Sequence, residues 1–437
     1  MTTVHQNNNI FQPGWKLPFF TIWTGQAFSL LGSALVGFAL IWWMTETTGS
    51  ATILATAAMF EFLPRVFVGP IAGTLVDRWN RRQVMLIADT TTALATALLI
   101  YLVWVGNLQI WQIYLLMLVR SAAGAFHMPA MLSSTSLMVP EEQLTRVQGL
   151  NQLLQGLINI AAPVLGAVLI AVLPLYAVLA VDLGTALLAV LPLLFIFIPQ
   201  PKVDPSQVEK KATVWGDMRT GFRYVWDWAG LRNIVLLAVF INLISLPAIT
   251  LMPLLVKNEF AGGAMEIASM QSSWAVGFLV GGVLLSVWGG FHRKILTANL
   301  AMFGTAVGFV MVGLAHNLAF EMALAGIFIA GMMNVLLNGP AFALLQTVVA
   351  DDMQGRVLSL VISLANAMTP IGLLIAGPVA ERTGVSTMFI FASLMFVVSG
   401  VFTVINADIQ NLEETGNRIK AEQESILPAT RTAITGD

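Results

Sequence analysis

The sequence predicts an all-α membrane protein, twelve transmembrane helices in two pseudo-symmetric six-helix bundles, on three observations. Hydrophobic residues make up 57% of the chain and charged residues only 10%, with a mean hydropathy of +0.82. That balance cannot furnish the polar surface of a soluble globule, so lipid is the solvent for much of the chain. A bilayer crossing takes about 20 apolar residues, so 437 residues leave room for roughly twelve crossings with their loops. Two loop sequences also repeat: VPEEQLTRV over Val139–Val147 and VADDMQGRV over Val349–Val357, each with two acidic residues and an arginine in register. Pro129-Ala130 and Pro340-Ala341 precede the two loops, and Ala162-Pro163 and Thr369-Pro370 follow them. Duplicated halves of this kind build two bundles around a central site; chance likeness of two short loops is the alternative.

Taken in order, residues 1–17 are a polar cytoplasmic leader without a small-residue cleavage site, so the first span is expected to be retained. Apolar runs then place spans at 18–44, 52–76, 83–105, 111–132, 148–173 and 177–198, the first bundle of residues 18–198. Residues 199–231 form a cytoplasmic linker, opened by Pro201 and Pro205. In it Trp215, Met218, Phe222, Val225 and Trp226 recur at helical spacing, which suits either a helix on the membrane surface or one packed on the bundle. The second bundle, residues 232–407, has spans at 232–256, 267–289, 295–315, 319–348, 357–380 and 387–407. The acidic stretch 408–437 reads as a cytoplasmic tail. With the amino terminus inside, 17 of the 21 lysines and arginines fall in cytoplasmic segments, while outer loops hold Lys257 and Arg382. Cations are retained on the cytoplasmic side, so both termini are expected there. The remaining two, Arg65 and Arg120, lie within spans.

The segment GTLVDRWNRR, Gly73–Arg82, falls between spans 2 and 3. With Gly73, Leu75, Asp77, Arg78, Arg81 and Arg82 at the proper spacing, it resembles the signature loop of the major facilitator superfamily. Arg120 and Gly124 resemble the superfamily's motif in span 4, whereas in span 5 Pro163 and Gly166 fit the antiporter motif but Ile158, Ala162 and Ala167 replace its usual glycines. LPRVFVGPIAGTLVDRWNRR, with WGDMRTGFRYV ahead of span 7, is most similar to the macrolide-efflux branch, which also holds siderophore exporters. The resemblance implies a plasma-membrane exporter, bacterial and multi-pass, that takes small-molecule cargo outward against protons. It also implies that Gly73, Asp77, Arg78, Arg81 and Arg82 form a conformational latch; the plainer reading makes the arginines topology anchors. On physical grounds Gly73 is expected to let two helices approach closely, and Asn80 to tolerate a left-handed turn.

Ionisable groups at bilayer depth are costly unless paired or wetted, so each is a candidate for function. Glu61 and Arg65 stand four residues apart on one face of span 2, either as an internal pair or as a proton and substrate site. Arg120 belongs, by the resemblance, to proton coupling; a strut between helices is the alternative. Asp89 is expected to pair with the signature-loop arginines rather than to touch cargo, with a coupling role as the alternative, and Asp182 to be structural. Gln152, Gln155 and Asn159 share a face of span 5, and with Asn334 and Asn338 in span 10 they either line a pathway or join helices. Trp23 is deep enough to line a greasy cavity, with lipid-facing packing as the plainer reading.

Other classes find little support. No basic block suits nucleic acid, no Walker loop suits ATP, and the absence of cysteine removes thiolate metal sites and nucleophiles. His5, His127, His292 and His316 lack ligand spacing, so no cofactor is expected; His127, near the inner end of span 4, reads as a packed polar residue. The expectation is a transporter of amphiphilic drugs such as macrolides by proton antiport and alternating access. A siderophore exporter, whose anionic cargo would contact Arg65 and Arg120, is the alternative, and a membrane enzyme or receptor the remote one.

Overall fold

The computed structural model describes residues 14–76, 79–200, 214–315, 319–350 and 353–415, and every regular element in them is helical. Asp77 and Arg78 of the signature loop, Asp351 and Asp352 of the repeated loop, His5, His316, linker residues 201–213 and tail residues 416–437 lie outside the described residues.

The first seven helices are α1 (Lys16–Thr48), α2 (Ala51–Phe67), α3 (Gly69–Val76), α4 (Arg81–Trp104), α5 (Ile110–Met138), α6 (Glu141–Val172) and α7 (Leu175–Phe195). After the linker come α8 (Val214–Asp227), α9 (Ala229–Thr250), α10 (Met252–Phe260), α11 (Ala264–Trp288), α12 (Lys294–Leu314), α13 (Phe320–Val348), α14 (Gln354–Thr383), α15 (Val385–Ile405) and the short α16 (Ala407–Gln410). Among the described residues, eleven helices are long and apolar enough to cross a membrane. The remaining expected span, 52–76, is divided between α2 and α3. Pro70 has no N–H to offer the Val66 carbonyl, yet the hydrogen bonds Val68 N to Pro64 O and Ala72 N to Val68 O carry the chain through the break. The expected span 232–256 is broken in the same way at Leu251, between Pro247 inside α9 and Pro253 at the start of α10.

The chain forms two compact units, Met1–Trp43 with Phe60–Glu209, and Met44–Met59 with Lys210–Asp437. The repeat read from the loops has a counterpart in the helices: α5 and α13 are each 29 residues long and carry Pro129 and Pro340. Each ends at a fully buried valine, Val139 or Val349.

In lipid, helices gain little from hydrophobicity and associate by close packing, which small residues permit. In unit 1, Gly25 lies against the Leu188 carbonyl of α7, and Gly32 against Asp182 and Thr185. In unit 2, Gly277 and Gly281 of α11 face the backbone of α13 at Phe328 and Met332, and Gly331 of α13 faces Trp274 in return. A ring stack of Phe309 between Phe389 and Phe396, edge to face at 5.5 and 5.6 Å, joins α12 to α15.

The turn between α1 and α2 is held within unit 2 by charges matched to helix ends. Gly49 ends α1 in the left-handed conformation, at φ 61°. Lys257 Nζ donates to the last carbonyls of α1, Thr45 O at 2.9 Å and Glu46 O at 2.8 Å. The Glu381 carboxylate accepts from the Ser50 hydroxyl and, at 3.1 Å, from Thr52 N at the start of α2. A cation at a helix carboxyl end and an anion at an amino end both complement the macrodipole.

Phe222, Val225 and Trp226 of α8 do not share one environment, contrary to a single membrane-facing stripe. Val225 is buried in unit 2 among Leu231, Val349, Val357 and Leu360, while Phe222 and Trp226 are exposed and stack on each other at 5.2 Å. Tyr224 accepts from Ala350 N at 3.3 Å, which anchors α8 beside α14.

Candidate functional site

Three helices of unit 1 turn polar stripes toward a common cavity of about 620 Å³. From α1 come Gln26, Ser29 and Ser33, from α4 Asp89 and Thr92, and from α5 Arg120, Gly124 and His127, spacings that keep each set on one helical face. Glu61 and Arg65 of α2 and Gln155 of α6 complete the polar wall.

The stripes pair off at two levels. At one, Arg120 Nη1 meets Asp182 Oδ2 of α7 at 2.8 Å, with Asp182 only 1% exposed. Thr96 donates to the same carboxylate oxygen at 2.7 Å, and Ser33 to the other at 3.1 Å. The close approach of α1 at Gly32 is what brings Ser33 within reach. A buried ion pair is tolerable only when its remaining lone pairs are satisfied in this way. At the second level, about 10 Å along α4 by helical rise, Gln26 Nε2 donates to Asp89 Oδ2 at 2.8 Å. His127 Nε2 lies 3.0 Å from Gln26 Oε1 and 3.3 Å from Asp89 Oδ1. All three side chains are buried.

Among the described residues the partners of Asp89 come from α1 and α5, where the signature-loop arginines were expected. Asp89 starts the third turn of α4, too far along the helix for the loop and level with Gln26 and His127. Glu61 and Arg65 do form the expected pair, at 3.0 Å, but with Arg65 57% exposed and leaning on the Phe62 ring. The Ser121 hydroxyl donates to the Glu61 carbonyl and ties α5 to α2.

Unit 2 holds a smaller cavity of about 210 Å³ with a different wall. Leu237, Ile241, Trp274, Met302, Phe309 and Phe396 make it apolar, and Asn242, Ser245, Asn334 and Asn338 add neutral polar groups. Its one charged lining residue is Lys294, which donates to Thr347 at 3.1 Å. Of the amides and the tryptophan that were candidates for cavity walls, Gln155, Asn334 and Asn338 are there. Gln152 and Asn159 are exposed and line neither cavity. Trp23 instead packs against the cluster around Phe19, Val76 and Val84 and donates to Asn151 Oδ1 at 2.7 Å.

The described part of the signature loop differs from expectation at two positions. A methyl group added at Gly73 meets nothing within 4 Å among the described residues, so no close helix contact depends on it. Asn80 is extended, at φ −68°, rather than left-handed; it caps α4 by accepting from Gln83 N at 3.3 Å. Arg82 donates to the last carbonyls of α7, Leu193 O and, at 2.6 Å, Leu194 O, while Arg81 N donates to Gln200 at 3.2 Å. The loop is thus fastened to the end of α7 by a cation at a helix carboxyl terminus.

Long apolar helices in two units, with ionisable groups gathered around a cavity inside one of them, define a membrane transporter rather than an enzyme. Solved structures agree on the fold. The nucleoside transporter NupG (D323A mutant) superposes with a TM-score of 0.68 over 89% of this chain and 99% of its own, at 15% identity. A bacterial homologue of the iron transporter ferroportin, in an inward-facing state, gives 0.66 over 90% and 99%, also at 15% identity. The profile of the transmembrane secretion effector family matches residues 10–429, and the chain belongs to that family of major-facilitator transporters. Macrolide efflux protein A of Streptococcus pyogenes is 32% identical over 404 residues, covering 91% of this chain and 98% of the relative. The multidrug efflux pump Tap of Mycobacterium tuberculosis is 26% identical over 398 residues, covering 89% and 93%.

Proposed function

We propose that the protein exports amphiphilic, macrolide-like molecules across the bacterial inner membrane by proton antiport, with alternating access of the bundles 18–198 and 232–407 and both termini in the cytoplasm. The observation that carries this reading is the division of labour between cavities. A polar wall bearing Glu61, Asp89, Arg120 and His127 suits protons and cations, and an apolar wall with Asn334 and Asn338 suits the greasy body of a drug. Similarity along nearly the whole chain to a macrolide efflux protein supports the same cargo class.

An anionic siderophore fits less well. The two cations it would contact are already engaged, Arg120 by Asp182 and Arg65 by Glu61. The loop from Gly73 to Arg82 acts in this scheme as the latch that holds one end of the transporter shut. In inverted vesicles with an imposed pH gradient, labelled erythromycin accumulates and the accumulation ends when the gradient is collapsed. Accumulation indifferent to collapse refutes proton coupling.

A further inference from the structure

We infer that the exchanged proton is carried on Nδ1 of His127, in a site built by Gln26 and Asp89, and that a cationic cargo competes with it for one negative charge. The inference rests on the antiport reading above and assigns it an atom.

The hydrogen bonds fix the chemistry of the imidazole. Gln26 points its amide nitrogen at Asp89, because the opposite orientation would set a carbonyl oxygen against a carboxylate. Its carbonyl oxygen then faces His127 Nε2 at 3.0 Å, and Asp89 Oδ1 lies 3.3 Å from that same nitrogen. With two acceptors before it, Nε2 must carry the hydrogen. The neutral ring is therefore the Nε2–H tautomer, and its bare nitrogen is Nδ1, which accepts no hydrogen bond from the described residues although the side chain is 10% exposed. His127 lines the cavity, which at about 620 Å³ has room for water. Imidazole is the one unperturbed side chain that changes charge between about pH 5 and 8. A proton taken up from cavity water at Nδ1 makes an imidazolium whose counter-charge, Asp89, is already in place.

The surrounding charges decide what this does to cargo. Facing the site are Glu61 and Arg65 from α2 and Arg120 from α5, the last held by Asp182 from α7; α6 offers only Gln155, and α1 only Gln26 and hydroxyls. The two ion pairs cancel, and Asp89 is left as one net negative charge while His127 is neutral. A lipophilic cation is attracted to that cavity and loses the attraction once His127 is protonated. Proton and cargo then occupy the cavity alternately, which is the condition for exchange.

The full-length protein with His5→Gln, His292→Gln and His316→Gln leaves His127 as the sole imidazole for nitrogen-15 NMR in detergent. The spectrum is expected to show a protonated Nε2 and a bare Nδ1 at high pH, with Nδ1 gaining the proton on acidification and Nε2 unchanged. A hydrogen on Nδ1 at high pH, or an Nδ1 that never titrates, overturns the site. In weakly buffered solution at a pH where the spectrum shows Nδ1 protonated, tetraphenylphosphonium, a cation with no proton of its own, is expected to release about one proton per cation bound, as linkage requires. His127→Gln should release none. Release by that variant equal to the wild type, or binding by the wild type without release, overturns the competition. Vesicle accumulation blind to the pH gradient, beside the expected spectrum, would sink the antiport reading while leaving the site; the converse pair of results would do the opposite.

Discussion

In unit 1 the ionisable side chains Asp89, Arg120, His127 and Asp182 lie well inside long helices, whereas the long helices of unit 2 carry theirs in first or last turns: Arg232, Glu266, Lys294, Glu321, Arg356, Glu381 and Arg382. Both units are helical and joined by small residues, and α5 matches α13 in length. What differs is what holds the helices at mid-depth. In unit 1 it is charge satisfied by charge, around a cavity of about 620 Å³; in unit 2 it is glycine against backbone and ring against ring. Ionisable groups thus line the cavity of one unit, and apolar side chains with neutral polar groups line that of the other.

The largest break in this contrast is expected at Arg120. Arg120→Met strands Asp182 without its cation and should cost about 3–5 kcal/mol, read as loss of folded protein or a large fall in denaturation midpoint in detergent. Adding Asp182→Leu should restore most of the stability and none of the proton-driven transport. The counterpart in unit 2 is Gly281→Leu, which forces a side chain into the Met332 backbone; overpacking of this kind costs about 1–3 kcal/mol, and the denaturation midpoint should fall less than for Arg120→Met. The smallest effect sharpens the comparison within unit 1. Glu61→Gln breaks an exposed pair worth about 0.5 kcal/mol or less, so its midpoint should barely move and any loss of erythromycin accumulation reports on transport.

The fold was legible because lipid imposes a coarse rule on sequence: long apolar runs, basic loops on one side, and a repeated loop marking two halves. The Glu61–Arg65 pair was equally legible, since four residues on one helix suffice to predict it. Arg120–Asp182 and the Gln26–Asp89–His127 cluster were not, because each joins helices far apart in the chain, Arg120 and Asp182 being 62 residues apart and Gln26 and Asp89 63. The signal available was periodic: Gln26 and Ser33, Asp89 and Thr96, and Arg120 and His127 each stand seven residues apart, polar positions on the faces of otherwise apolar helices. That pattern marks three wet faces without saying that they meet. Gly73 shows the opposite error. A family position was read as a helix contact, while the contacts lie at Gly25, Gly32, Gly277 and Gly281.

The turn from α1 to α2 has a consequence for how the polypeptide is assembled. Residues Met44–Met59 are covalently part of the first half but complete the second unit, where Lys257 and Glu381 grip the exposed ends of two helices. The second half, made alone, would carry two charged side chains with no helix termini to receive them, because the segment that supplies those termini belongs to the half synthesised first. Severing the peptide between the halves would therefore leave a missing piece that only the earlier fragment can supply.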